Sequence, residues 1–275
     1  MIRRFAKPLS LAVLPLAVSG ALVSCSSNGT EASDEPTTTA AVEVPDAGQP
    51  ASGAPSDLII DDTVTPEGYE YDLVAGGDTP SLGDMFSELA DDPEFTDIEG
   101  FDAGQGLRDA MNANPFQCTG LAVDGVSLMD WMFRPAETTA TAGYTLLDND
   151  EDGIHIMVTT DEVDPQTFPA DVSECLEFTR EMTDETDNTL QHYTAEPVDV
   201  TVEGADVLGA ARVTMTGAEL NGEPIEGEGI GESLITVTAS VNGVTYTIAA
   251  SDSTGTELAS SLASAQAQRI AAANV

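Results

Sequence analysis

Positive charge is what this sequence has least of. Of 275 residues only eight are Lys or Arg, against 49 Asp and Glu, giving a formal net charge of −41. Nucleic-acid binding needs clusters of Lys and Arg to meet phosphates, so that class is excluded, and so is electrostatic docking on anionic lipid. Histidine is nearly absent, with only His155 and His192, and neither sits in an HExxH setting. No GxSxG elbow and no CxxC pair occurs. Triads assemble in space, so spacing alone does not dismiss one. With no catalytic constellation to build on, the sequence predicts a chain that is not an enzyme. Aromatics make up 5%, with Trp131 the single tryptophan. No apolar run reaches the roughly 20 residues a membrane span needs.

What is present begins at the N-terminus. Arg3, Arg4 and Lys7 precede an apolar stretch from Leu9 to Val23 that Pro15 and Gly20 interrupt, the pattern of a secretory signal over residues 1–24. The competing reading is a single N-terminal membrane anchor. Leu22-Val23-Ser24-Cys25 resembles the bacterial lipobox, whose cysteine thiol takes a diacylglycerol and becomes the new N-terminus. Two or more acyl chains hold a protein stably on a bilayer. The expectation is therefore a lipoprotein lipidated at Cys25, held by that anchor on the extracytoplasmic face of the cell membrane. Without residues 1–24 the charge becomes 5 − 49 = −44, carried against Arg108, Arg134, Arg180, Arg212 and Arg269. Such a chain suits cations, cationic peptides or basic proteins as partners, or simply a solvated surface that resists aggregation.

Cys118 and Cys175 remain. An exported chain meets an oxidising compartment, so a disulfide is the economical reading, with a redox or metal-binding thiol pair as the alternative.

Residues 25–57 comprise the lipidated N-terminus and a Ser-, Thr- and Pro-rich flexible linker with almost no large apolar side chains. It would reach about 30 Å from the membrane. Residues 58–113 read as an acidic, partly ordered extension, with short strands at Leu58-Ile59-Ile60 and Tyr69–Val74 and a helical face at Met85, Phe86 and Leu89. From 114 to 275 the pattern sharpens into a domain. Asn114-Pro115 reads as a helix start. Ala142–Leu147 and Ile154–Thr159 flank an acidic turn as a hairpin. Val172, Cys175, Leu176 and Thr179 fit a helix. Val198, Val200 and Val202 alternate as a strand would, as do Val213 and Met215. Ile235–Val241 and Val244–Ala250 alternate around Asn242-Gly243, predicting a tight hairpin with one buried face and one wet, Thr-rich face. Thr254 and Glu257 suggest a capping box for a last helix. The fold class expected is α+β: an antiparallel sheet with helices packed on one face, and one disulfide.

This layout resembles that of uncharacterised mycobacterial and corynebacterial lipoproteins, and is similar to the PknH-like extracellular sensor domains of actinobacterial kinases. The resemblance is carried by Asn114-Pro115-Phe116-Gln117-Cys118, the hairpin, Phe168-Pro169 before Cys175, the Asn221-Gly222 and Asn242-Gly243 turns, and the Ala-rich end with Gln268-Arg269-Ile270. It implies a Cys118–Cys175 pair and a cleft between sheet and helices, with no catalytic residue and no known ligand. A lipid anchor here stands where those sensors have a transmembrane helix, and no kinase is present.

Two candidate sites follow. Asp148, Asp150 and Asp152 with Gly153 match the first half of a calcium loop, but Thr159 stands where a bidentate Glu is required, so the choice is a weak Ca²⁺ site or a solvated turn. No other cofactor is expected. Trp131 and Phe133, with Met129 and Met132, form an apolar cluster that either packs a core or lines a ligand cleft. The function expected is a membrane-anchored binding or sensing module for a small molecule, lipid or basic protein. The alternatives are an envelope lipid carrier with an apolar cavity, or a structural or interaction protein of the surface.

Overall fold

The computed structural model describes residues 53–85, 111–183, 187–227 and 229–273, without the side chains of 149–152. The expected signal segment, Cys25, most of the expected linker, and Phe86 and Leu89 of the expected helix lie outside these residues.

Among the described residues ten strands form one antiparallel sheet: β1 (Tyr69–Ala75), β2 (Ala113–Asn114), β3 (Thr139–Leu146), β4 (Asn149–Thr159), β5 (Glu177–Thr183), β6 (Asn188–Pro197), β7 (Asp206–Leu220), β8 (Glu223–Ile225), β9 (Ser233–Val241) and β10 (Val244–Ser251). The order across the sheet is β1-β3-β4-β10-β9-β7-β6-β5-β2, with β8 pairing off β7. Asn242 and Gly243 both take positive φ, 51° and 80°, so Val241 and Val244 face each other and the β9–β10 register follows. Asn221 and Gly222 do the same, at 53° and 83°, between β7 and β8. The β3–β4 hairpin forms too. Its pairing jumps from Thr145–Gly153 to Leu146–Asn149, so residues 150–152 bulge from the ladder.

Strand alternation sends one set of side chains to each face. On the first face Ile154, Ile156, Ile235, Val237, Tyr246 and Ile248 are buried, and α3 (Thr256–Ala272) packs over β9 and β10 through Ala259, Leu262, Ala263, Ala267 and Ile270. Small residues on this helix let it sit close, and the Tyr246 hydroxyl donates to the Ala263 carbonyl at 2.9 Å. Gln266, also fully buried, accepts from the Ile60 N–H at 3.0 Å and donates to the Leu58 carbonyl at 2.7 Å. Leu58, Ile59 and Ile60 are thereby fixed inside the same core, so the fold draws on residues well before 114. They form the end of a short helical turn, α1 (Pro55–Leu58), and an extended stretch rather than a strand. Proline at the first helical position starts that turn.

The second face was expected to be wet, and it is covered. Thr236, Thr238, Thr245 and Thr247 are all buried. Their cover is α2 (Gly125–Phe133), whose Trp131 and Leu128 pack on Met157 and Ala249, together with a 3₁₀ segment at Phe116–Leu121. The Cys118–Cys175 disulfide is formed on this side, in a second small core with Leu121, Phe178, Tyr193, Ala211 and Val213. The antiparallel α+β class and the disulfide are thus as expected, with the short helix on the face opposite the long one.

Four local expectations change. Asn114-Pro115 does not open an α-helix. The peptide bond is cis, Pro115 precedes the 3₁₀ segment, and no side chain caps it. The helix expected at Val172–Thr179 is a 3₁₀ turn (Val172–Cys175) followed by β5, in which Phe178 and Arg180 point inward with period two. A buried arginine had disguised that alternation. Val198–Val202 is a connection, although Val202 reaches the core. Pro197 ends β6 because it carries no N–H for the ladder. Thr254 lies in a 3₁₀ turn, and Gly255, without a side-chain cap, precedes α3.

Candidate functional site

A cleft of about 280 Å³ opens on the second face where its two small cores meet. Its floor is the Thr-rich row. Thr238 of β9 and Thr247 of β10 are cross-strand partners whose hydroxyls hydrogen bond at 3.0 Å. Thr245, two residues back on the same face, lies beside them. Trp131 supplies one wall from α2, buried to 4% exposure, and Met157 of β4 lies under it. Phe168 supplies the opposite wall. Its ring occupies the space that a Cβ at Gly120 would need, since such an atom would come within 2.3 Å of it. A glycine at 120 is therefore demanded by close approach, at a backbone conformation any residue adopts.

The loop after β4 forms the rim with Asp161, Glu162 and Asp164. Asp161 accepts from the Thr138 hydroxyl at 3.0 Å, and Asp164 accepts from the Gln166 N–H at 2.9 Å. Arg134, at the end of α2, is the one basic side chain lining the cleft among the described residues. Its Nε donates to Asp130 Oδ2 at 2.8 Å.

A buried polar network sets the position of α2. Asp124 is its N-cap and accepts from the Ser127 N–H at 3.0 Å. The fully buried Arg180 reaches from β5 to donate to Asp124 at 2.9 Å, to the Ala122 carbonyl and to the Ser127 hydroxyl. The Tyr193 hydroxyl also donates to Asp124, and its ring stacks on Phe178 with centroids 5.1 Å apart. Burial raises the Asp124 pKa. The Arg180 charge, followed by the hydrogen bonds, outweighs burial and holds it below the ordinary carboxylate value. Burial pushes the Tyr193 phenol upward.

Of the residues singled out from sequence, Trp131 lines the cleft and Phe133 does not. Two helical positions are about 200° of rotation, which turns Phe133 to another side of α2. Among the described residues the arginines do not converge: Arg134 and Arg180 serve α2, Arg212 pairs with Asp252, and Arg269 bonds the Asp57 carbonyl, while Arg108 lies outside the described residues. Asp148 is exposed, while the side chains of Asp150 and Asp152 lie outside the described residues. The two histidines lie on β4 and β6. His155 is paired across the sheet with Gly143 and Ala249, and His192 Nε2 is 3.2 Å from Glu219. Phe168, Glu162 and the Thr floor are not assigned to a cleft by the sequence reading. Their one signal is threonine at alternate positions on two adjacent strands, which reads equally as a solvated face.

Fold and cleft together define a disulfide-bonded antiparallel α+β domain with a ligand-sized opening. No family model and no curated protein matches the chain. Among solved structures, an uncharacterised protein from Mycobacterium smegmatis, an Rv0999 ortholog, is similar over 80% of this chain and 97% of its own, with 12% identity and a TM-score of 0.36.

Proposed function

We propose that this protein is a lipid-anchored extracytoplasmic module that binds or senses a ligand of the cell envelope without catalysing a reaction. The observation that carries the reading is the cleft, with its hydroxyl floor, Trp131 wall and acidic rim. Binding sites combine an apolar lining with a few placed polar groups in this way. The signal-like residues 1–24 and the lipobox at Cys25 support the address, and the Cys118–Cys175 bond agrees with an oxidising compartment. The resemblance of the sequence layout to PknH-like sensor domains favours sensing over a scaffold role. Lipid carriage is the second reading. It requires a large apolar cavity, and about 280 Å³ with a threonine floor and carboxylate rim favours a small polar ligand instead.

The test is native mass spectrometry of the full-length protein, purified in mild detergent from membranes of its own host, before and after organic extraction. A retained small molecule supports the reading. A retained lipid moves it to carriage, and a clean apo mass overturns both.

A further inference from the structure

The polar groups of the cleft select among ligand charges, an inference that rests on the cleft being a binding site. The Thr245 residue is 6% exposed and lines the floor, yet its hydroxyl has no hydrogen-bond partner among the described residues, whereas its neighbours Thr238 and Thr247 satisfy each other. A hydroxyl without a protein partner that opens onto the cleft from a largely buried residue is placed to meet a group that enters there. Charge at the mouth has one sign. Asp161, Glu162 and Asp164 face a single cation, Arg134, which the buried Asp130 already neutralises. The Glu162 carboxylate has no hydrogen bond or ion pair among the described residues. The field of a chain at −41 adds to theirs and repels anions.

We propose that the cleft binds a small organic cation: an ammonium or guanidinium head on an apolar body. The body lies between Trp131 and Phe168, where a cation near the indole also gains from its ring. The head meets the Asp161–Asp164 rim. A polar atom of the body takes the Thr245 hydroxyl.

Trp131 is the chain's single tryptophan, so its fluorescence reports on this site alone. The full chain in detergent is titrated with benzylamine, benzyl alcohol and benzoate, three probes of similar size and different charge. At low salt benzylamine should saturate at least about fivefold tighter than benzyl alcohol, with benzoate weakest. At about 1 M salt, where the screening length is about 3 Å, that contrast should collapse. E162Q, a change at an exposed position, should reduce the preference about twofold, with the emission of the unliganded protein unchanged. Thr245→Val should weaken benzyl alcohol, whose hydroxyl is free to reach residue 245, and leave benzylamine, whose ammonium is held at the rim, little changed. If benzyl alcohol or benzoate saturates as tightly as benzylamine, the cleft still binds ligands and the cation inference is overturned. If none of the probes changes the Trp131 signal saturably, the binding reading falls with it.

Discussion

Arg180 is the residue on which the second face depends. It is fully buried, and its charge is answered by Asp124. Asp124→Ala would leave that cation uncompensated, and should cost about 3–5 kcal/mol in a denaturant melt. Acid should do the same more gradually. The folded-state pKa of Asp124 is depressed, so its contribution is complete above the unfolded carboxylate value and is lost as pH falls through the folded one. His155 acts earlier. Burial lowers its folded pKa below 6.5, so the unfolded chain binds more protons between the two values. Stability should therefore begin to fall as pH drops below about 6.5, and His155→Gln should remove that first limb from a plot of melting temperature against pH. Gly120 matters for shape. Gly120→Ala must displace the Phe168 ring, and should alter the Trp131 probe titrations more than it alters the melt.

Among the elements, α3 and the 55–60 segment are joined by one side chain. Gln266→Ala leaves the Ile60 N–H and the Leu58 carbonyl buried without partners, at about 1–3 kcal/mol each. Hydrogen exchange at Ile60 should accelerate by more than exchange in β9. The β9–β10 hairpin is legible in the sequence alone, because Asn-Gly between two alternating runs admits one tight turn. β5 is not. Its approach through Cys175, Leu176 and Thr179 fits a helical period, and the alternation of Phe178 with Arg180 becomes visible only once an arginine is allowed inside. Asp124 is what makes that possible, and it is 56 residues away in sequence.

Over the whole molecule two terms oppose each other. The disulfide closes a loop with a separation of 57 residues and should contribute about 4 kcal/mol by constraining the unfolded chain. Changing both cysteines to serine should lower the melt accordingly. The net charge of −41 works the other way through self-repulsion. Raising salt should therefore raise the melting temperature of the protein while it weakens any cationic ligand in the cleft, two trends of opposite sign in one titration. On the proposed anchor, Cys25→Ser should move the protein from the membrane fraction to the soluble one in a fractionation of its host.

What the sequence determined by itself was whatever depends on neighbours in the chain. The alternation of β9 and β10 and the positive-φ turns at Asn221 and Asn242 follow from local pattern. Only the tertiary structure decided which face of the sheet is covered. The hydroxyls of Thr238 and Thr247 can be satisfied by water or by each other with little difference in composition, and the choice fell to α2, brought over them by Asp124 and Arg180. The cleft exists because that helix and the loop bearing Phe168 cover the row incompletely. No periodicity records such a gap, since it is made by segments that meet in space and not along the chain.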